Sequence, residues 1–333
     1  MRRPGPVRKR VEKDRPGGRC IHGSADSEVL RSGISCATVG ELTGRVAVVT
    51  GGASGIGAGM VEALLEEDAT VVVADIEQPV LEDTVARLAE RFGRERLVGV
   101  QTDVSRQEST EACAREVYDR HGVCHFLFNN AGVGGGGVAK PWNWTPNDWK
   151  WCFGVNLFGA ANCVAAFVPR MLVGGEDGWI VNTSSSNGGY QPLPDLAVYA
   201  ASKAGLSTYT ECLANAFAVS GAKLRAAIYY PGGDGLLETR LWNSGRNRPP
   251  ELSREHPHVD PQWDYQEVKA RVLASGGKVA DLVEQARSLL RALRDGKFII
   301  AADTVSVGEL MRRRAERIGT GQLPTVEEKG VFT

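Results

Sequence analysis

From Arg45 onward the chain alternates short apolar runs with longer stretches in which apolar residues recur at helical spacing. Val46-Ala47-Val48-Val49 stops at a glycine-rich turn, and Met60 to Glu67 follows with Val61, Leu64 and Leu65 on one side. This reads as strand, turn, helix. Further strands are predicted at Thr70 to Ala74, ending at Asp75, at Leu97 to Gln101, closing on Asp103, and at His125 to Phe128. Others are predicted at Trp179 to Asn182, at 224–229 and near Phe298-Ile299-Ile300. Helices are predicted at Val80 to Phe92, at 107–120, from about Asn147 to Met171, and at 198–219. Two amphipathic stretches precede the last strand.

Strands that alternate with helices of this length form parallel β-α-β units, whose right-handed crossovers put helices on both faces of one sheet. The expectation is therefore an α/β fold with a doubly wound parallel sheet of about seven strands. One domain over 41–303 is expected, with a substrate lid at about 231–265 and a C-terminal helix and tail at 304–333. No internal repeat and no second core are visible.

Composition narrows the function. At 333 residues with net charge -1, the chain carries no global electrostatic case for nucleic acid, and by this reading no apolar run approaches the roughly 20 residues of a membrane span. Seven cysteines without a CxxC pair indicate neither a zinc site nor a disulfide framework, so no metal is expected and a reducing, cytoplasmic setting fits. The first 40 residues differ: Arg2, Arg3, Arg8, Lys9, Arg10, Lys13, Arg15 and Arg19 stand among Pro and Gly, which predicts a disordered basic arm. His256-Pro257-His258 has the look of a metal pair, but the intervening proline and the lack of partner acids make it a surface loop.

Chemistry concentrates at two places. Thr50-Gly51-Gly52-Ala53-Ser54-Gly55-Ile56-Gly57 lies at a strand-to-helix turn, where missing side chains let a pyrophosphate approach the backbone and helix N-terminal NH groups can receive it. Asp75 ends the next strand, 24 residues after Gly51, where a carboxylate accepts hydrogen bonds from the two ribose hydroxyls of an adenosine. It would also repel the 2′-phosphate of NADP. With no Arg or Lys close behind it, NAD is expected over NADP. The second place is Tyr199-Ala200-Ala201-Ser202-Lys203, which sets a phenol and an ammonium on one helical face; a nearby cation lowers a phenol's pKa and makes it a general acid/base.

These marks together resemble the single-domain branch of the short-chain dehydrogenases/reductases, a Rossmann-fold family, over about Leu42 to Ile300. They occur in the family's order: the glycine loop at 50–57, Asp103, Asn129-Asn130-Ala131-Gly132, Asn156 in Gly154-Val155-Asn156-Leu157, serines 184–186, and Tyr199 with Lys203. The resemblance implies that Tyr199 exchanges a proton with the substrate oxygen. Lys203 would tune it and hold the nicotinamide ribose, and Asn156 would help order a water-linked proton relay. A serine would orient the substrate; counting from the strand gives Ser185 and counting back from Tyr199 gives Ser186. The implied cofactor-binding set is Gly51, Ser54, Gly55, Ile56, Gly57, Asp75, Asp103, Val104, Asn129, Ala131, Gly132, Tyr199, Lys203, Pro231 and Gly232. The family's threonine shortly after Pro-Gly is displaced here, since the intervening segment is longer and Thr239 is the nearest candidate.

The implied activity is hydride transfer between NAD and a secondary alcohol or ketone. Leu236, Leu237, Leu241, Trp242, Tyr190 and the tryptophans at 142, 144, 149 and 151 suggest a hydrophobic one. The other class to weigh is a non-catalytic NAD(H)-binding sensor or interaction protein on the same fold. The family resemblance further implies a homodimer or homotetramer formed through helices 147–171 and 200–219, with Ala160, Ala161, Ala165 and Ala166 allowing close approach.

Overall fold

The computed structural model describes residues 42–233, 235–255 and 264–323. The basic arm, the His256-Pro257-His258 pair, Trp263 and the last ten residues lie outside them. The elements follow the predicted order. They are β1 (Val46–Thr50), α1 (Gly55–Glu66), β2 (Thr70–Asp75), α2 (Gln78–Phe92), β3 (Leu97–Gln101), α3 (Gln107–His121) and β4 (Phe126–Asn129). After these come α4 (Pro146–Phe153), α5 (Gly159–Gly174), β5 (Gly178–Thr183), a single turn α6 (Ser186–Gly189), α7 (Ala197–Ser220) and β6 (Leu224–Tyr230). The chain closes with α8 (Tyr265–Ala274), α9 (Leu282–Arg294), β7 (Ile299–Ala301) and α10 (Thr304–Gly319).

All seven strands are parallel, in the order β3-β2-β1-β4-β5-β6-β7. Alternation along each strand sends Ala47, Val49, Val71, Val73 and Val181 to one face, where they meet Met60, Leu64 and Leu65 of α1, Leu81 and Leu88 of α2, and Leu289 and Leu293 of α9. Val46, Val48, Val72, Leu127 and Ile180 face the other way, onto Val117 of α3, Phe167 and Met171 of α5, and Phe217 of α7. With both faces covered, the strands need no polar side, which is why they read as continuous apolar runs. The strand order reverses between β1 and β4, and a crevice opens at their carboxyl ends.

Two features depart from the expectations. The long helix is interrupted by a π-turn at Gly154–Phe158, which divides α4 from α5 and contains Asn156. The stretch Pro146–Gly174 is also long and apolar enough to cross a membrane by length and composition, contrary to the expectation that no run approaches that size. Its place in this fold accounts for the composition, because 56% of its most apolar window is buried against the sheet and neighbouring helices. The alanines expected to permit close helix approach also divide: Ala160 and Ala166 turn into the core, and Ala165 is exposed.

Candidate active site

The glycine loop is held open by its neighbours. Thr50 accepts from the main-chain NH groups of Asn130 (3.0 Å) and Ala131 (3.1 Å), and Asn130 Nδ2 donates to the carbonyls of Thr50 and Gly51 at 3.2 and 3.4 Å. These bonds join the ends of β1 and β4 directly beneath the crevice. Gly57 does not reach the crevice wall; a Cβ there would lie 2.1 Å from the Gly51 carbonyl oxygen, so its role is to let α1 start against the loop. Asn129 is also displaced from its expected place. It is buried, and it donates to Asn182 Oδ1 at 2.9 Å, tying β4 to β5 below the cleft.

A single cavity of about 650 Å³ runs along the crevice. Gly51, Ser54, Gly55 and Ile56 form one end of it, at the α1 N-terminus, where Ser54 makes no side-chain cap bond. Asp75, Asp103 and Val104 form the wall beside them, and Ala131 and Gly132 the floor. Asp75 is buried; its carboxylate accepts from Ala53 N at 3.0 Å and Glu77 N at 3.1 Å. Burial raises its pKa against the lowering effect of those two bonds. Asp103 accepts from Ser105 N and Oγ, at 3.0 and 2.6 Å.

At the other end Tyr199, Lys203 and serines 184–186 converge on the cavity. The structure separates the serines. Ser184 is buried, bonded to Ser207 Oγ (2.7 Å) and the Lys203 carbonyl (3.0 Å). Ser185 caps α6 and stands near enough to the Tyr199 phenol to pull its pKa down, whereas Ser186 is taken up in the α6 turn. Tyr199 is pushed up to about 12 by burial, with Ser185 pulling the other way. The Lys203 nitrogen lies 6.0 Å from the Tyr199 ring centroid. Burial outweighs the Ser185 contribution, so Tyr199 is a protonated donor at neutral pH.

Lys203 is itself lowered to about 8 by burial, and Nζ donates to the Thr183 carbonyl at 2.7 Å. Holding an ammonium in this place costs stability. The unfolded value is 10.5, so the unfolded chain binds more protons between about pH 8 and 10.5 and stability rises with pH across that window. Lys203→Met is therefore expected to stabilise the protein at pH 7 by about 2 kcal/mol, after allowing for the lost bond to Thr183. The gain shrinks above pH 8, and thermal melts at pH 7 and 9.5 measure it.

The Asn156 side chain is fully committed: Oδ1 accepts from Val133 N (2.8 Å), and Nδ2 donates to Val133 O (2.9 Å), Ser202 Oγ (2.9 Å) and Cys152 Sγ (3.3 Å). It fixes the Gly132–Val133 floor against α7. A Cβ at Gly132 would stand 3.3 Å from both Asn156 Oδ1 and Lys203 Nζ, so this floor is open only because it lacks a side chain.

The segment after β6 closes the cavity. Pro231, Gly232, Leu236, Leu237, Leu241 and Trp242 all reach its wall, as does Trp151. The other expected aromatics do not: Tyr190 packs edge-on to Tyr230, Trp144 is buried beside Trp151, Trp142 is 81% exposed and Trp149 lies against Phe153. Thr239 packs over the glycine loop, 3.1 Å from where a Gly55 Cβ would be. Nor is the segment a loose flap. Ser244 Oγ accepts from Gly134 N (3.0 Å), Arg240 and Arg246 bond Glu77, and Arg248 and Arg254 bond the buried Asp148 at 2.6 and 2.9 Å. These anchors come from positions some 100 to 170 residues away and carry no local pattern.

The short chain dehydrogenase family pattern matches residues 45–245. A 2,3-dihydroxy-2,3-dihydro-p-cumate dehydrogenase of Pseudomonas putida is 34% identical over 232 residues, covering 68% of this chain and 84% of that protein. A short chain dehydrogenase/reductase from Burkholderia phymatum, solved in complex with NAD, superposes with a TM-score of 0.77 at 31% identity, over 87% of this chain and 99% of that one. A metagenomic short-chain oxidoreductase solved with NADP gives a TM-score of 0.58 at 25% identity, over 79% and 97%.

Proposed function

The chain belongs to the short-chain dehydrogenase/reductase family, and from that premise we propose that it is an NAD-dependent oxidoreductase acting on a hydrophobic secondary alcohol or the corresponding ketone. One observation carries the reading: a continuous cavity joins the glycine loop and Asp75 at one end to Ser185, Tyr199 and an apolar lid at the other. A dinucleotide fits the residues present. The open glycine turn and the first NH groups of α1 would take its pyrophosphate, Asp75 its adenosine ribose, and Lys203 the second ribose, with N–H donors to spare beyond Thr183. When bound, the nicotinamide supplies or accepts the hydride.

The chain's own residues handle the proton and the substrate's position. In reduction Tyr199 gives its phenolic proton to the carbonyl oxygen, a transfer suited to a phenol that burial keeps protonated. In oxidation the base is the phenolate: once Tyr199 has released its own proton to solvent it takes the alcohol's, and the nearby Lys203 charge favours that state. Ser185, which lines the cavity beside the phenol, holds the substrate oxygen next to it. Because the Asn156 side chain is occupied, its part in a proton relay falls to the main chain of the π-turn that carries it. Leu236, Leu237, Leu241, Trp242 and Trp151 favour an apolar, ring-sized substrate. The relative named for a dihydrodiol of p-cumate is in keeping with a cyclic alcohol.

The test is NAD-coupled turnover on a panel of cyclic and acyclic secondary alcohols, repeated with Ser185→Ala and Ser186→Ala. We expect turnover on the cyclic members, a loss of about 10²-fold or more in kcat for Ser185→Ala, and a change within about threefold for Ser186→Ala. Tight NADH binding with no turnover on any member would instead identify a sensor.

A further inference from the structure

Along the sequence no basic residue stands close behind Asp75, which is the mark of NAD. The fold brings two in from far along the chain. Arg240 Nη1 and Arg246 Nε both donate to Glu77 Oε2 at 3.1 Å, and Arg246 Nη2 bonds Glu77 Oε1. Glu77 lies two residues past Asp75 and its main-chain NH is bonded to Asp75 Oδ1, so its place relative to that carboxylate is fixed. Asp75, Glu77, Arg240 and Arg246 all reach the same cavity wall. Burial would raise the Glu77 pKa, but Arg246 and Asn247 outweigh it and keep the carboxyl ionised.

We propose that Glu77 determines the choice between NAD and NADP, by occupying two lid arginines that would otherwise receive a 2′-phosphate. This rests on reading the cleft as a dinucleotide site with the adenosine at Asp75. With Glu77 in place the four charges sum to zero, the forked edge of Arg246 is filled, and two carboxylates face an incoming dianion. Without Glu77 the same wall carries a net positive charge. Arg246 would also stay where it is, because Nη1 is independently held by the carbonyls of Arg240 (2.7 Å) and Asn243 (2.6 Å). Its Nε and Nη2 edge is then free and already aimed, the bidentate geometry a phosphate takes. Specificity here is a repulsive and a masking effect of one side chain, and the attractive groups are already present.

The experiment is calorimetric titration of the full chain with AMP and with adenosine 2′,5′-bisphosphate, and with NADH and NADPH, for the wild type, Glu77→Ala, Glu77→Gln and Glu77→Ala/Arg246→Gln. The wild type is expected to bind AMP at least as tightly as the bisphosphate. Glu77→Ala should tighten the bisphosphate and NADPH about tenfold or more, with AMP changing less than about threefold, and the double variant should lose that gain. Glu77→Gln, which keeps the shape and a hydrogen bond to the lid, should move in the same direction by less. The proposal is overturned if Glu77→Ala binds AMP normally with no gain for the bisphosphate, or if the gain survives in the double variant. Wild-type protein that binds none of the four ligands would overturn the dinucleotide reading itself, and the proposal with it.

Discussion

Tyr199→Phe is expected to lower kcat by about 10²–10⁴-fold while leaving NADH affinity within about twofold of the wild type. The ring sits in the cluster of Val133, Trp144, Trp151, Cys152 and Val198, and phenylalanine keeps that packing, so only the hydroxyl and its interaction with Ser185 are lost. Lys203→Ala should behave differently. It removes an ammonium whose remaining donors face the cleft floor at Gly132, so affinity and turnover fall together. Single-turnover kinetics beside equilibrium NADH titration separate the two. Equal loss of affinity in both variants would show that the phenol itself holds the cofactor and would sink this division of labour. Lys203→Met, expected to be more stable at pH 7 and inactive, sets the cost of the buried cation against its use.

The second large effect is on the lid. Asp148 is fully buried. It accepts from Thr145 N and Oγ (both 2.9 Å) as a capping box for α4, and from Arg248 and Arg254 of the lid. Arg254 also bonds the carbonyls of Gly135 and Gly136, and the Arg248 guanidinium lies 5.0 Å from the centre of the Trp151 ring. Asp148→Ala leaves the 89%-buried Arg248 without its anion and the Thr145 main-chain NH without its half of the capping box, while the Thr145 cap itself stays. We expect a loss of about 3–5 kcal/mol in stability, read by denaturant unfolding, and faster proteolysis within 240–255. Burial alone would raise the Asp148 pKa, but Arg248, Thr145 and Arg254 more than offset it and hold it below its usual value. Its contribution is therefore complete above the ordinary carboxylate range and is lost as pH falls below it. A melting temperature that falls less steeply below about pH 4 in Asp148→Ala than in the wild type would be the matching signature.

What the sequence determined by itself are the features set by local rules. Alternating apolar runs and helical spacing give the order of β1–β7, because a strand buried on both faces has no polar alternative. The glycine loop, Asp75 and the Tyr199–Lys203 spacing were legible because each needs residue types at short, fixed separations. Tertiary structure alone decided what depends on contacts across the chain. It separated Ser185 from Ser186 by which hydroxyl meets Tyr199, and it placed Gly57 and Asn129 beneath the cleft and Asn156's side chain on Val133. It also brought Arg240, Arg246, Arg248 and Arg254 onto Glu77 and Asp148, 100 or more residues away. Ion pairs formed by a returning lid have no period and no spacing, so only the folded chain shows that the acid beside Asp75 comes with its own arginines.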